Sequence, residues 1–244
     1  MEKLCFVFRH DDGPSPDRLA KARSFAEVAR DLARAVTLHV ADPPLATPSA
    51  TLGSDDPADM AIFDPALYAL ASIWIDTIDD RAPLEAEAAL LPGQFGVYLV
   101  TESAVLDYDS MSWAVGEPSP GKTLVALFRR HPALTPERFR QRWAAHSSMS
   151  CTIHPLSRYL RNDVVHSLAG DAIWDGVVEE RVADVRDLAP ERFYIGEGSR
   201  ELAAKDIAEF IDVENGMKCS FMTEIIYKPP PWLAQDPPSE ALCR

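Results

Sequence analysis

The stretch "KLCFVFRHDDGPSPDRLAKARSFAEVARDL", starting at Lys3, returns in altered form as "KTLVALFRRHPALTPERFRQRWAAHSSM", starting at Lys122. Phe8-Arg9 corresponds to Phe128-Arg129, and Pro16-Asp17-Arg18 to Pro136-Glu137-Arg138, each at an offset of 120 residues. Later, Thr101-Glu102 corresponds to Thr223-Glu224 at an offset of 122. A chain made of two copies of one unit must fold as two similar halves that bury a face against each other. The 244 residues accordingly divide into a half at 1–110, a linker at 111–121, a second half at 122–228 and a Pro-rich tail at 229–244.

Each half reads alike. A β-rich run (Leu4 to Phe8; Leu124 to Phe128) meets a polar turn, after which Ser15-Pro16 or Thr135-Pro136 supplies an N-cap and a proline at the first helical position. In the second copy Phe139, Trp143 and Met149 recur at near-helical spacing. Two further strands follow ("AVTLHVA" and "YALASIWID"; "RYLRNDVVH" and "GVVEERVAD"), then an acidic or Ala-rich helix and a closing strand. The order β-α-β-β-α-β is ferredoxin-like, and such a unit covers only one sheet face with its helices. The expected fold is therefore α+β: two ferredoxin-like repeats packed sheet to sheet as one intramolecular barrel, helices outside. Residues 41–60, rich in Pro, Ser and Asp, read as an irregular loop, and Trp232 as a potential anchor for the tail.

Composition narrows the partners. With 38 acidic against 24 basic residues the formal charge is -14, which disfavours nucleic acid as a partner. Cys5, Cys151, Cys219 and Cys243 lack Cys-x-x-Cys spacing and read as reduced thiols. No apolar run approaches the ~20 residues of a membrane span, and the N-terminus does not resemble a signal peptide, so a cytoplasmic location without membrane contact is expected. No pair of His and carboxylate residues recurs at metal-ligand spacing and no Gly-rich nucleotide loop occurs, so chemistry without metal or cofactor is expected.

The second half resembles the EthD family of the dimeric α+β barrel superfamily. The resemblance is carried by "FRRHPALTPERFRQRW", "SRYLRNDVV", "WDGVVEERVADVRDL" and "DIAEFIDVENGMKCSFMTEIIY" in that order, and covers Lys122 to Lys228. It implies a site His on the first helix of the half, a site Glu on its third strand, and a Tyr and an Asn on its second. His146, Glu179, Tyr159 and Asn162 occupy those places. In the family the His follows a Trp by four positions; here His146 follows Trp143 by three and Ser147 holds the fourth. In the first half Ala26 aligns with His146 and Ser72 with Glu179, so that half reads as scaffold.

His146 can act as acid, base or donor near neutral pH, or serve as a core or capping histidine. On "GVVEERV", Val178 and Glu180 share one face while Val177, Glu179 and Arg181 share the other. Glu179 among apolar neighbours would have a raised pKa suited to proton transfer; its alternative is a salt bridge with Arg181 or an exposed strand position. Tyr159, Asn162, Arg161, Ser147, His10 and His39 are candidate substrate-binding residues; His154 reads as a loop residue, and His166 as ending a strand.

The expected function is that of a cofactor-independent lyase, isomerase or cyclase acting by general acid–base chemistry. Its substrate would be a small apolar carbonyl or hydroxyl compound, aromatic or polyketide-like, in a cavity between helices and sheet, with His146 and Glu179 moving protons. The alternatives are a cofactor-free oxygenase of phenols and a non-enzymatic small-molecule-binding protein. Because the fused pair satisfies the usual dimer internally, the chain is expected as a monomer or a homodimer.

Overall fold

The computed structural model describes residues 1–41, 63–108, 110–170 and 172–235. The first half contains β1 (Glu2–Arg9), α1 (Pro16–Leu32), β2 (Ala35–Ala41), β3 (Leu67–Ile75), α2 (Ala82–Ala88) and β4 (Gln94–Leu106). After a short β5 (Ser110–Met111), the second half contains β6 (Lys122–Phe128), α3 (Pro136–Ile153), β7 (Leu156–Ala169), β8 (Gly176–Val182), α4 (Ser199–Ala208) and β9 (Met217–Lys228). A two-residue β10 (Ala234–Gln235) pairs with β5.

Both long helices begin as their sequences require. Ser15 Oγ accepts from the Arg18 amide and Thr135 Oγ1 from the Arg138 amide, each at 3.3 Å, with proline at the first turn.

The strands close a barrel in the order β1-β3-β2-β9-β6-β8-β7-β4. Within it each half keeps the ferredoxin-like order: β4-β1-β3-β2, then β9-β6-β8-β7. The halves join at both edges, β2 to β9 and β4 to β7, all antiparallel, so neither sheet leaves an unpaired rim. Register confirms the internal alignment: Cys5 pairs with Ser72 as Val125 pairs with Glu179.

Strand alternation divides the side chains into two sets. Leu4, Phe6, Phe8, Leu38, Ala71 and Ile73 point outward and pack with Phe25, Ala26 and Ala29 of α1. Ala126, Phe128, Tyr159 and Val178 do likewise with Phe139 and Trp143 of α3 and with Phe210. Each fully buried side chain of this size contributes about 1.5–3 kcal/mol. Cys5, Val7, Leu70, Tyr98, Val125, Leu127, Val177 and Met222 point into the lumen.

Gly121 opens β6 with φ +81°, and a Cβ there would lie 1.9 Å from the Val182 carbonyl oxygen, so only glycine fits this turn.

Of the irregular loop expected at 41–60, Ala41 closes β2 and the rest lies outside the described residues. The start of the tail is anchored: half-exposed Trp232 packs edge-on against Trp74 with ring centroids 6.1 Å apart. Cys5, Cys151 and Cys219 are free thiols; Cys243 lies outside the described residues. Among the described residues, no helix is long and apolar enough to cross a membrane.

Candidate active site

The barrel wall separates two polar regions that the sequence reading had joined. The first is the lumen. Lys3 Nζ donates to Glu102 Oε2 at 2.6 Å and to Glu179 Oε1 at 3.1 Å. Glu179 Oε1 also accepts from Ser72 Oγ at 3.1 Å and from Asn162 Nδ2 at 3.0 Å. His39, fully buried, places Nε2 3.7 Å from Glu179 Oε2 and 3.5 Å from Glu224 Oε2. Glu224 in turn accepts from Arg158 at 2.5 Å and from the Tyr108 hydroxyl at 2.9 Å.

Burial alone would raise the Glu179 pKa, but Lys3 and then His39 outweigh it and bring the carboxyl down to about 2. Glu224 is likewise lowered, burial being overcome by Arg158 and His39. The expectation of a raised Glu179 pKa is therefore corrected: its neighbours are charged and hydrogen-bonding rather than apolar. Such a carboxylate is an anchored counter-ion.

The second region is a cavity of about 70 Å³ between the helices and the outer sheet face of the second half. His146, Glu180, Tyr159, Trp143, Phe210 and Met217 are among its lining residues. His146 is buried, with Nδ1 2.8 Å from Asp206 Oδ2 of α4 and its ring 5.2 Å from that of Phe210. When Nδ1–H is donated to Asp206, Nε2 retains a lone pair. Burial lowers the His146 pKa and the Asp206 hydrogen bond only partly opposes it, which favours the neutral imidazole at pH 7.

Glu180 is half-buried and faces the same cavity. Burial pushes its carboxyl up to about 7, with the Ser150 hydroxyl acting in the opposite direction. The Tyr159 hydroxyl accepts from Trp143 Nε1 at 3.2 Å, and burial holds its own proton well above the ordinary tyrosine range. A neutral imidazole, a carboxyl that titrates near neutrality and a protonated phenol thus share one largely apolar space.

His146 and Glu179 do not meet, because a residue shift of one along a strand changes the face. Glu179 points into the lumen while Glu180 points to the helices, so Glu180 is the carboxylate that accompanies His146. Asn162 lies with Glu179 in the lumen, donating also to the Val177 carbonyl, and His39 lies there too. Tyr159 is brought to the cavity. Ser147 is buried and donates to the Trp143 carbonyl at 2.7 Å, a back-bond within the helix.

Arg161 lies on the outer face, its guanidinium 5.1 Å from the Trp143 ring and 3.5 Å from Asp163. His10 lies beyond the end of β1, beside Arg18 at 3.3 Å, away from this cavity. His154 lies, as expected, in the short connection between α3 and β7, where it is the C-cap of α3; its amide donates to Ser150 O and its ring stacks on Phe193 at 4.3 Å. His166 is exposed.

Asp206 and Glu180 were missed as site residues. The face assignment of Glu180 was legible from strand alternation; nothing local marked Asp206, which sits 60 residues from His146.

No protein-family model matches the sequence, and no curated protein matches it. Solved structures do match. An anthrone oxidase-like protein shares 9% identity over 94% of both chains with a TM-score of 0.58. A candidate monooxygenase from Fusobacterium nucleatum subsp. nucleatum shares 8% identity over 92% of this chain and 94% of its own, with a TM-score of 0.50. The fold is therefore the dimeric α+β barrel shared with those proteins.

A haem does not fit the His146 cavity. Even drug-sized ligands occupy pockets of about 300–1,000 Å³, against about 70 Å³ here. Among the described residues no cluster of three or more His, Cys, Asp or Glu side chains has the arrangement of a metal site.

Proposed function

We propose that this protein is a cofactor-independent enzyme that removes a proton from a carbon or hydroxyl next to a carbonyl in a small, largely apolar compound. One observation carries this reading: the His146–Asp206 pair and Glu180, a carboxyl titrating near 7, face the same apolar cavity. Glu180 titrates near neutral pH, where acid–base catalysis is most effective, and burial keeps the His146 imidazole neutral and able to accept a proton.

His146 Nε2 takes the proton while Asp206 steadies the imidazolium that forms. Protonated Glu180 and the Tyr159 hydroxyl donate to the carbonyl oxygen as its negative charge grows. Leu124, Ile207 and Met217 are half-buried apolar residues of the lining, and in this reading the reacting edge of the substrate enters past them while the remainder stays outside.

The first half acts as scaffold. Ala26 stands at the position equivalent to His146, and Ile73, paired with Leu4 as Glu180 is with Leu124, replaces the carboxyl; both are fully buried.

The fate of the enolate sets the class. Return of the proton elsewhere makes an isomerase, and loss of a β-substituent or attack on a second carbonyl makes a lyase or cyclase. A second reading, an oxygenase, is favoured by the fold shared with an anthrone oxidase-like protein and a candidate monooxygenase. Its first step is identical. Its balance is one substrate methylene and one dioxygen giving one ketone carbonyl and one water, the carbon being oxidised and the dioxygen reduced.

The test incubates the protein in deuterium oxide with anthrone and with 2-tetralone, following deuterium uptake at the acidic carbon and oxygen consumption together. Exchange without oxygen uptake supports the isomerase or lyase reading, and oxygen uptake supports the oxygenase. Wild-type rates no faster than buffer, or rates unchanged in both His146→Gln and Glu180→Gln, overturn the proposal.

A further inference from the structure

A larger opening lies elsewhere, at the barrel mouth where β1 ends. It is a cleft of about 320 Å³ whose lining includes Val7, Arg9, Gln94, Tyr98, Ala172 and Trp174. Its size falls in the range of small-molecule sites, about 300–1,000 Å³. It shares no lining residue with the His146 cavity.

The aromatic wall is pre-organised. Tyr98 folds back over Gly96, where a Cβ would lie 2.5 Å from the Tyr98 hydroxyl, so glycine is what lets the ring lie flat. That hydroxyl donates to the Ala172 carbonyl at 2.9 Å, with the Trp174 indole N–H beside it, tying β4 to the segment that carries Trp174. Gly170, at φ +89°, lets that segment approach the Phe95 carbonyl oxygen, to which a Cβ would come within 2.7 Å. Rigid aromatic walls lose little conformational entropy on binding a flat ligand.

Cationic side chains gather at the cleft on an acidic chain. Arg9 meets one carboxylate, its Nε 2.9 Å and its terminal nitrogen 2.7 Å from the same Asp64 oxygen, while the other Asp64 oxygen accepts from the Ala66 amide. Arg129 adds a second cation, 5.6 Å from the Trp174 ring, with its Nε donated to the Ile173 carbonyl. Asp175, the acid next to Trp174, is engaged by the Arg130 amide at 2.8 Å. Among the described residues, the guanidinium groups of Arg9, Arg129 and Arg130 stand at or beside the cleft against the carboxylates of Asp64 and Asp175, the latter 3.7 Å from Arg130, on a chain of net charge -14. The field reaches the wall itself, since Arg9 partly offsets the rise that burial imposes on the Tyr98 phenol.

We propose that this cleft is a second small-molecule site, which takes a planar aromatic carboxylate of one or two rings. The ring lies against Tyr98 and Trp174, and the carboxylate meets Arg9 and Gln94.

The test titrates the full chain with 2-naphthoate and follows its five indole N–H signals by NMR, with Trp174→Phe identifying the signal of Trp174. The expected result is a saturable shift of that signal, with the neutral analogue 2-naphthylmethanol binding at least tenfold more weakly. Ala172→Phe fills the cleft and is expected to weaken 2-naphthoate at least tenfold; Gln94→Trp, at an exposed position, does the same without disturbing the core. His146→Gln leaves this binding unchanged, so the result stands apart from the outcome at the proton-transfer cavity. The proposal is overturned by the absence of a saturable Trp174 shift, by equal binding of the neutral analogue, or by a shift centred on Trp143.

Discussion

His146 Nδ1 lies 2.8 Å from Asp206 Oδ2, a contact between α3 and α4 that orients the imidazole toward the sheet cavity. Burial and this carboxylate act on His146 in opposite senses, and burial prevails. Asp206→Asn removes the opposing influence, so the His146 titration midpoint is expected to fall further below its wild-type value. The check is an NMR titration of the histidine Cε1 protons; a midpoint that rises would contradict the pairing. On a reactive substrate, His146→Gln is expected to lower turnover by about 10²–10⁴ fold.

Glu180 carries a stability cost that depends on pH. Its folded pKa of about 7 exceeds the ordinary 4.5, so between these values the folded chain holds a proton that the unfolded chain has released. Stability contributed by this group is full below pH 4.5 and lost as pH rises through 7, by at most about 3 kcal/mol since the residue is half-buried. Glu180→Gln is expected to raise Tm at pH 8 relative to wild type and to change it little at pH 5. Equal shifts at both values would show that Glu180 ionises normally.

Lys3 and Glu179 form a buried pair with the opposite sign. The Glu179 pKa of about 2 lies below 4.5, so its contribution is present above pH 4.5 and disappears as pH falls through 2. Lys3→Met strands two carboxylates, Glu179 and Glu102, and is expected to cost about 3–5 kcal/mol in urea unfolding at pH 7. Adding Glu179→Gln to that variant should recover part of the loss. A double variant no more stable than the single one would argue against direct coupling.

The Thr135 side chain closes the first turn of α3, the helix that carries His146. Thr135→Ala is expected to cost about 1 kcal/mol, and Thr135→Ser much less. Denaturant midpoints at constant m-value measure both.

Much of the barrel was legible without coordinates. The 120-residue offset, the two Ser/Thr-Pro helix starts and the period-two strands are local signals, and each strand named from them is present. Alternation even separated Glu179 from Glu180. It could not say which face met the helices, because both faces of β8 are buried, and hydrophobic patterning distinguishes buried from exposed rather than lumen from outer layer.

The resemblance of the second half led to Glu179 as partner for His146, and the sheet lies between them. Ser72 illustrates the same limit: aligned with Glu179 by repeat, it donates a hydrogen bond to that residue across the lumen at 3.1 Å. Sequence alone determined the two-copy plan, the helix starts and the strand periodicity, because these depend on residues within a few positions of one another. Only the tertiary structure decided that Asp206 reaches His146, that Lys3 holds Glu179 and that Glu180 faces the helices. Those pairings join residues 60 and 176 positions apart or depend on which face is covered, and burial and charge act through space rather than along the chain.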